Sequence, residues 1–283
     1  MKLISFRHDG VEKYGVVLRD GVVDIFARLG GRYPTLRDAI GGLGLNEIDR
    51  ESNGAAADFA LSDIEYMFPI TAPEKILCVG RNYRAYHEVL EEGLLKYPSI
   101  FPRFPSSFAA HGGVILKPRV SDQLDFEAEL VAVIGKSGRH IPEDRAMDHV
   151  IGYTIMNEGS VRDWQHLGAQ TFPGKNFYQS GAIGPWMVTK DELPDLSKVP
   201  IRTRVNGEIR QDGATDMMIF SLPDVIAHIS TFTWLEPGDM ISTGSPGGSA
   251  VEEDTPRWLK PGDIIEIEIP PIGVLKNTIE AEK

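Results

Sequence analysis

The sequence predicts a β-rich α+β fold. Short apolar runs of strand type dominate the chain from Val114 onward, Gly and Pro turns join most of them, and helix-type segments are confined to two stretches before that point. Hydrophobic residues make up 42% and charged residues 25% of the 283 residues, as in ordinary globular proteins. A chain of this length is predicted to form one large domain with a smaller one attached.

Residues 1–70 are predicted to form a small N-terminal domain that contains β-strands. Turn sequences at 8–10 and 19–21 separate short strands, and Thr35 can cap a short helix that continues through Ile40. The glycine-rich and polar stretch that follows, up to residue 58, resembles a mobile connection. We therefore place the domain boundary near residue 70, with the main domain at 71–283.

The main domain is predicted to begin with a buried strand at 76–80 and a helix from Tyr83 to Glu92 that ends at Gly93. The later strand-type runs are 129–134, 150–156, 199–205, 239–243 and 263–269. Two Pro-Gly-Asp sequences, at 237–239 and 261–263, precede the last two strands. We interpret them as recurrent turn chemistry rather than as a duplication.

Charge and composition exclude several classes of partner. A formal net charge of −12, with no cluster of basic and aromatic residues, disfavours binding to nucleic acids or anionic membranes. Cys78 is the single cysteine, so neither an intrachain disulfide nor a thiolate zinc site can form. No apolar run has the length of a signal peptide or a membrane span, which predicts a cytoplasmic protein. Nucleotide-binding glycine motifs are absent, since Gly244–Gly248 lacks the P-loop lysine.

Acidic residues alternate with apolar ones at Asp125, Glu127 and Glu129, and a strand would place all three on one face. One interpretation is an exposed edge strand whose acids prevent pairing with other chains. However, the run continues into the apolar segment 131–134, which indicates that the acids lie at the mouth of a buried strand. Repelling carboxylates there need a cation or raised pKa values, so we predict a metal ion that prefers oxygen ligands.

A second polar segment follows the strand-type residues 150–156. The chain from Gly152 to Gln165 ends in a dense turn with an acid, a guanidinium and an amide, and loops at strand ends often carry function. The alternative is an ordinary surface turn held by an Arg162–Asp163 contact. His149 and His166 lie nearby but lack metal-ligand spacing, and we predict structural roles for both.

These two segments resemble the fumarylacetoacetate hydrolase (FAH) family. Its catalytic domain carries a strand of the form D-[YF]-E-x-E-L-x-x-V-I-G-K and a turn of the form G-Y-T-x-x-N-D-x-S-x-R-D-x-Q, which match Asp125–Lys136 and Gly152–Gln165. Further matches follow in the family's order at 80–83, 174–177, 184–186, 206–208 and 237–248. The resemblance covers about 74 to 279 and implies an FAH-type mixed β-sandwich or β-roll catalytic domain, a homodimer and a place in aromatic compound catabolism.

The resemblance also implies roles for individual residues. Glu127, Glu129 and Glu158 match the metal ligands, although the third position is usually Asp in the family. Lys175 matches a catalytic residue of the pocket. The residues that match the substrate-binding positions are Arg81, Tyr83, Arg162, Gln165 and Ser245, the last standing where Thr is common.

The family's lid carries a His and a Glu that activate the attacking water. Here Tyr86 occupies the usual His position, whereas His87 and Glu91 lie one place later with the i, i+4 spacing that puts two side chains on one helix face. Glu88 is an alternative partner for His87. We therefore take His87 and Glu91 as the catalytic pair that the resemblance implies.

An all-oxygen ligand set indicates Mg²⁺ or Mn²⁺, with Ca²⁺ as a possible substitute. The resemblance implies a hydrolase that cleaves a C–C bond in a small anionic 1,3-diketo acid, such as an acylpyruvate or a fumarylpyruvate-like compound. Decarboxylation of an oxaloacetate-type 2-keto acid, or isomerisation of a hydroxymuconate-type acid, would use the same metal site. A noncatalytic β-domain that holds Ca²⁺ is a further alternative, against which Arg162 and Lys175 argue because a structural cage needs no nearby cations.

Overall fold

A computed structural model describes residues 1–19, 21–42, 44–84 and 95–283. The first strands of this part of the chain are β1 (Lys2–His8), β2 (Val11–Val17), β3 (Gly21–Asp24), β4 (Phe59–Ala60), β5 (Glu65–Tyr66), β6 (Ile76–Gly80), β7 (Ser99–Pro102), β8 (Phe108–Ala110) and β9 (Val114–Lys117). The later strands are β10 (Leu124–Asp125), β11 (Ala128–Ile134), β12 (Val150–Asn157), β13 (Ser160–Val161), β14 (Gly181–Thr189), β15 (Pro200–Val205), β16 (Glu208–Ala214), β17 (Met240–Ser242), β18 (Ile264–Ile269) and β19 (Gly273–Ala281).

Helices are short and lie between these strands. The α-helices in the described part of the chain are α1 (Ile25–Arg28), α2 (Leu36–Gly42), α3 (Leu45–Ser52), α4 (Arg162–Gln165), α5 (Phe172–Lys175) and α6 (Leu222–Phe232). Turns of 3₁₀ helix occur at Leu61–Asp63, Pro105–Ser107, Glu143–His149, Lys190–Glu192, Thr215–Met217 and Ala250–Glu252. No helix within the described ranges has the length and apolar character needed to cross a membrane.

The described strands form one large sheet, one smaller sheet and a short ladder. The large sheet has the order β4-β3-β2-β1-β14-β12-β11-β17-β6-β7, with β5 beside β1 and β8 beside β14. The smaller sheet has the order β16-β15-β18-β19-β9, and β10 pairs with β13. Most neighbours are antiparallel, but β17–β6, β14–β8 and β19–β9 are parallel. The β-rich α+β class predicted from the sequence is therefore confirmed.

Both faces of β11 are buried, which explains its continuous apolar sequence. Leu130 and Ala132 pack in a core with Ile267 and other residues of the smaller sheet. Val131 and Val133 point to the opposite face, where residues of α1 to α3, such as Ile48, form a second core. The end of β11 that begins at Ala128 is therefore held rigidly from both sides.

The N-terminal turns agree with their sequences. Asp9 and Gly10 have φ values of 49° and 76° between β1 and β2, the left-handed geometry of a tight hairpin. Thr35 Oγ1 accepts from Asp38 N at 3.2 Å at the start of α2, which confirms the cap. The prediction of a mobile connection up to residue 58 is wrong in part, because Leu45–Ser52 forms α3 and buries Ile48.

The main strands lie within a residue or two of their predicted bounds, and both Pro-Gly-Asp turns have the glycine at positive φ. The expectation of one continuous strand through the three alternating acids is wrong, since Asp125 ends β10 and β11 starts at Ala128. Most of the helix predicted from Tyr83 to Glu92 lies outside the described residues. The N-terminal β1 pairs with β14 of the main body, and the division at residue 70 stays a prediction.

Candidate active site

Two neighbouring strand ends bring three acidic residues together. Antiparallel β11 and β12 pair with Ala128 opposite Asn157, so the residue before β11 meets the residue after β12. The backbone N–H of Glu158 donates to the carbonyl of Glu127 at 2.8 Å and fixes this junction. Acidic side chains that are far apart in the sequence are therefore adjacent in space.

Glu127, Glu129 and Glu158 form a compact carboxylate cluster. Each residue offers a carboxylate oxygen, and these oxygens all lie within 4.8 Å of one another. Glu129 and Glu158 are almost fully buried, at 1% and 2% exposure, and the Glu127 side chain is 15% exposed. Negative charges this close and this buried repel each other strongly, so the arrangement depends on compensating positive charge.

Two buried cations supply part of that charge. Lys175 Nζ donates to Glu127 Oε1 at 2.8 Å and to Glu158 Oε2 at 2.6 Å. Arg162 places Nη2 at 2.9 Å from Glu127 Oε1 and Nε at 2.7 Å from Asp125 Oδ2. Four carboxylates thus face two directly bonded cations in this group of side chains, so negative charge is in excess.

Within the cluster, Glu129 is the carboxylate whose pKa is raised. Its burial, together with the nearby Glu158 and Glu127 carboxylates, raises the pKa of Glu129 well above its ordinary value. Hydrogen bonds from Ser242 Oγ and from Gly244 N, the latter at 3.2 Å, act against that rise and hold the carboxylate in place. The charged form of Glu129 is therefore disfavoured unless a cation joins the cluster.

The pKa of Glu127 is shifted in the opposite direction, because the cations Arg162 and Lys175 contact this carboxylate directly. Burial disfavours its charged form, but Arg162 and Lys175 outweigh burial and lower the pKa of Glu127 to about 2. Ser160 Oγ donates a further bond at 2.6 Å. The Glu127 and Glu158 carboxylates raise the pKa of Lys175 despite its burial, so its ammonium group stays charged.

Asp125 is fully engaged in structural bonds. Its Oδ1 accepts from Phe126 N and Ala250 N, both at 2.8 Å, and its Oδ2 accepts from Arg162 Nε at 2.7 Å and from Val251 N at 3.1 Å. The side chain thus joins β10 to the turn at 250–251 and orients Arg162. It is not part of the carboxylate cluster.

A cleft of about 300 Å³ opens above the cluster. Phe101 and Val79 line one wall, and Pro246, Ser249 and Val251 line another. Its wall includes six of the residues proposed from the sequence: Arg81, Glu127, Glu129, Arg162, Gln165 and Ser245. A concave site of this size, with convergent charged groups at its base, suits a small anionic ligand.

Residues 75–280 match the family described as fumarylacetoacetate (FAA) hydrolase, C-terminal. This match covers more than half of the chain. The chain belongs to the fumarylacetoacetate hydrolase family. The resemblance seen in the sequence motifs is therefore confirmed, and so is the FAH-type fold.

Individual relatives carry several activities. Oxaloacetate tautomerase YisK of Bacillus subtilis is 40% identical over 225 residues, which cover 78% of this chain and 75% of that protein. A fumarylacetoacetate hydrolase from psychrophilic Exiguobacterium antarcticum superposes with a TM-score of 0.81 at 30% identity over 100% of both chains. A 5-carboxymethyl-2-hydroxymuconate delta-isomerase from Mycobacterium smegmatis gives 0.79 at 27% identity, again over 100% of both chains. The FAH family thus includes hydrolases, isomerases and a tautomerase.

The pocket residues that were inferred from the FAH motifs occupy definite places. Arg162 donates from Nη1 to Gln165 Oε1 at 3.1 Å, so the two side chains act as one unit on α4. Ser245 Oγ accepts from Gln211 Nε2 at 2.9 Å at the cleft wall. Arg81 has a φ of 56°, which is unusual for a residue with a side chain and points to a constrained position at the cleft.

Three sets of inferred residues do not appear in the cleft wall. Glu158 and Lys175 are buried, at 2% and 5% exposure, and both contact Glu127, which lines the cleft. Tyr83 is 0% exposed and packs in the main core, so the structure gives no support to a direct contact with a ligand. His87 and Glu91, and the alternative partner Glu88, lie outside the described residues. Their roles stay predictions from the sequence.

The donor set fits a divalent metal, as is typical of FAH enzymes. Glu158 Oε1 is buried and has no hydrogen-bond partner among the described residues, although buried carboxylate oxygens are nearly always paired. The unpaired oxygen belongs to a cluster of three carboxylates whose candidate ligand atoms are all oxygens, and the buried thiol of Cys78 lies beside Glu158. Hard cations such as Mg²⁺ or Mn²⁺ prefer exactly such oxygen ligands.

Sequence reasoning missed several residues of this site. His166, which we predicted to be structural, is exposed and lines the cleft. Ser160 and Ser242 bond the cluster carboxylates directly, and Ser160 is the serine of the motif that matches Gly152–Gln165, which was the available signal. Arg103 is 2% exposed beneath the turn that carries Glu158, and its charge inside the apolar segment 100–104 was the available signal.

Proposed function

We propose that this protein is a divalent-metal-dependent enzyme that forms the enolate of a small 2-keto acid, and that its reaction is keto–enol tautomerisation of an oxaloacetate-type diacid. The observation that carries the proposal is the carboxylate cluster with two buried cations at the base of a small cleft. Support for the tautomerase reaction comes from the 40% identity to oxaloacetate tautomerase YisK.

Glu127, Glu129 and Glu158 would hold the metal. A bound Mg²⁺ or Mn²⁺ supplies Lewis acidity, which polarises the keto group of a 2-keto acid and stabilises negative charge on its oxygen. The rigid end of β11 and the backbone bond between Glu127 and Glu158 keep these carboxylates in place before the substrate arrives. A preorganised site avoids reorganisation during the reaction.

Tautomerisation moves a proton between the enol oxygen and C3 by way of solvent water, and Lys175, Arg162 and Gln165 would stabilise the enolate oxygen between the two transfers. Their N–H groups lie in a buried region, where hydrogen bonds to a charged oxygen are stronger than in water. Arg81 and Ser245, which line the cleft, would bind the carboxylates of the substrate. These local cations offset the formal net charge of −12, which by itself would repel an acidic substrate.

C–C bond hydrolysis of an acylpyruvate or a fumarylpyruvate-like 1,3-diketo acid is the second candidate. The observation that favours it is the His87–Glu91 pair, spaced i, i+4 and close in sequence to Arg81 of the cleft wall. His87, oriented by Glu91 or Glu88, would remove a proton from a water that attacks the distal carbonyl. The same enolate would then leave as the product.

Direct product analysis tests the proposal. Freshly dissolved enol-oxaloacetate is mixed with Mn²⁺-loaded or Mg²⁺-loaded enzyme, and loss of the enol absorbance is followed together with pyruvate release. Acylpyruvates and fumarylpyruvate are assayed in parallel. We expect rapid conversion of the enol to the keto form with little pyruvate. Cleavage of the 1,3-diketo acids without faster tautomerisation would favour the hydrolase, and pyruvate release from oxaloacetate would favour decarboxylation.

A further inference from the structure

We propose that Arg103 is a positioning residue of the metal centre, which holds the turn that carries Glu158 through a bond to the carbonyl of Gly159. This inference rests on the metal centre of the proposed function. Arg103 lies outside the motifs that identify the FAH family in this sequence.

Arg103 is a buried cation that makes no direct ion pair in the described part of the chain, although the charges of Glu158, Glu127 and Glu129 act on it. It is 2% exposed and is among the largest fully buried side chains. Its guanidinium lies over the ring of Phe108, with 4.2 Å between Cζ and the ring centroid. Burying a charge without a directly paired charge destabilises the folded protein. If the contacts of Arg103 served only the fold, an apolar side chain could replace it with little loss of stability.

The guanidinium joins three separate segments of the chain. Its Nε donates to Ser107 Oγ at 3.2 Å, Nη1 donates to Gly159 O at 3.2 Å, and Nη2 donates to Ser180 Oγ at 3.3 Å. A planar group with five donors in fixed directions can make these bonds at the same time, and a lysine cannot. Arg103 thus connects the carbonyl of Gly159, the residue that follows Glu158, to the segments that contain Ser107 and Ser180.

The turn itself packs closely against the segment that contains Ser180. A Cβ at Gly159 would lie 1.6 Å from Ser180 O, so the two backbones are in direct contact and no side chain fits between them. On the other side of the turn, Lys175 Nζ binds Glu158 Oε2 at 2.6 Å. Glu158 is therefore held from its backbone by Arg103 and from its carboxylate by Lys175.

An electrostatic role and a positioning role of Arg103 predict opposite changes in metal affinity when this residue is replaced. Loss of a nearby positive charge alone would strengthen the binding of a cation. Loss of the bond to Gly159 O would release the Glu158 turn and weaken binding, since residues that orient metal ligands typically contribute about 10-fold to 100-fold in affinity. The direction of the change therefore separates a positioning role from a purely electrostatic one.

The test compares Arg103→Met and Arg103→Lys with Arg210→Met. Arg210 is a matched control because its side chain is also largely buried, at 5% exposure, its guanidinium also lies over a ring (Phe126, at 5.1 Å), and it pairs with Glu253 rather than with the cluster. Mn²⁺ affinity is measured by titration calorimetry on metal-free full-length protein. Thermal unfolding of the same samples reports the general cost of removing a buried Arg.

We expect both Arg103 variants to bind Mn²⁺ about 10-fold or more weakly than the parent, and Arg210→Met to bind it like the parent whatever its Tm. If Arg103→Met does not fold, Arg103→Lys carries the test, because it keeps the cation and loses only the planar fork. If the Arg103 variants bound Mn²⁺ as tightly as the parent or more tightly, the positioning role of Arg103 would be wrong, whereas the proposed metal centre would stand. Absence of Mn²⁺ binding by the parent would overturn the metal centre, and this role with it.

Discussion

Lys175 Nζ lies 2.6 Å from Glu158 Oε2, so a fixed ammonium group contacts a carboxylate of the cluster that we assign to the metal. Metal binding and catalysis should therefore respond differently to Lys175→Met. Removing this cation leaves the cluster more anionic, so Mn²⁺ affinity should be kept or increased. Turnover should fall by about 10²-fold or more, because an enolate-stabilising donor is lost.

Calorimetry and steady-state kinetics on the same preparation check this prediction for Lys175. Lys75→Met serves as the control, since Lys75 pairs with Asp239 at 3.1 Å and is absent from the cleft wall. A Lys175→Met enzyme that lost Mn²⁺ and activity together would place Lys175 in the structural support of the site, and one with full activity would remove it from the mechanism.

Glu129 links metal binding to pH. Because burial and the neighbouring Glu158 and Glu127 raise the pKa of Glu129, metal binding at a pH below that raised pKa should release a proton from it. Mn²⁺ affinity should fall as the pH decreases through that raised pKa, by up to about tenfold per pH unit for one proton. Titrations in buffers with different ionisation enthalpies measure the released proton directly, and a result without proton release would contradict the protonated state.

The same shift predicts how the stability of the metal-free protein depends on pH. A folded-state pKa above the ordinary Glu value means that stability is lost as the pH rises from about 4.3 towards the raised pKa. Glu129→Gln should remove this loss and stabilise the metal-free protein at neutral pH, while abolishing Mn²⁺ binding. Urea unfolding of both proteins from pH 4 to 8 checks the prediction, and a destabilised Glu129→Gln protein at neutral pH would be the opposite result.

Glu158 is the ligand position at which this chain departs from the family pattern. A Glu extends about 1.5 Å farther than an Asp, one C–C bond, from the same backbone. Glu158→Asp should therefore keep Mn²⁺ binding with weaker affinity, whereas Glu158→Gln should lose most of it because the charge holds a hard cation. Mn²⁺ titration of the three proteins distinguishes these outcomes. Parent-like binding by Glu158→Gln would show that Glu158 is not a ligand.

Sequence patterns predicted the strands of this protein better than its side-chain contacts. The apolar run after Glu129 is buried on both faces of its strand, so its pattern was sufficient to predict β11. Asp125 belongs to the same alternation of acids but to a different strand, where backbone amides at 250 and 251 bind it. Those amides come from a segment far along the chain, and alternation alone does not report such contacts.

The cluster could be proposed from the sequence because ligand residues of this kind occur in recognisable motifs. Arg103, by contrast, is a single charged residue in an apolar segment, and its partners Gly159 and Ser180 come from elsewhere in the chain. The helix at 45–52 was missed because its polar sequence buries few residues, chiefly Ile48. Long-range packing determines both the contacts of Arg103 and the helix at 45–52, and the local periodicity of the sequence does not report such packing.

His87 separates the two candidate reactions. Hydrolysis needs an activated water, whereas tautomerisation and decarboxylation of a 2-keto acid do not. His87→Ala should therefore reduce hydrolysis of an acylpyruvate by about 10²-fold or more and leave metal-dependent tautomerisation of enol-oxaloacetate largely unchanged. Parallel assays of both substrates on one preparation check this, and an equal loss in both would place His87 in substrate binding or folding.

Formation of an enolate at the cluster of Glu127, Glu129 and Glu158 is the central claim, and deuterium exchange at C3 of a 2-keto acid measures it most directly. The substrate is incubated in D₂O with chelated enzyme, with Mn²⁺-reloaded or Mg²⁺-reloaded enzyme, and with reloaded Glu127→Ala. NMR, or mass spectrometry for the Mn²⁺ samples, follows the loss of the C3 protons. We predict rapid exchange with the reloaded parent alone. Equal exchange by chelated enzyme or by Glu127→Ala would contradict the account.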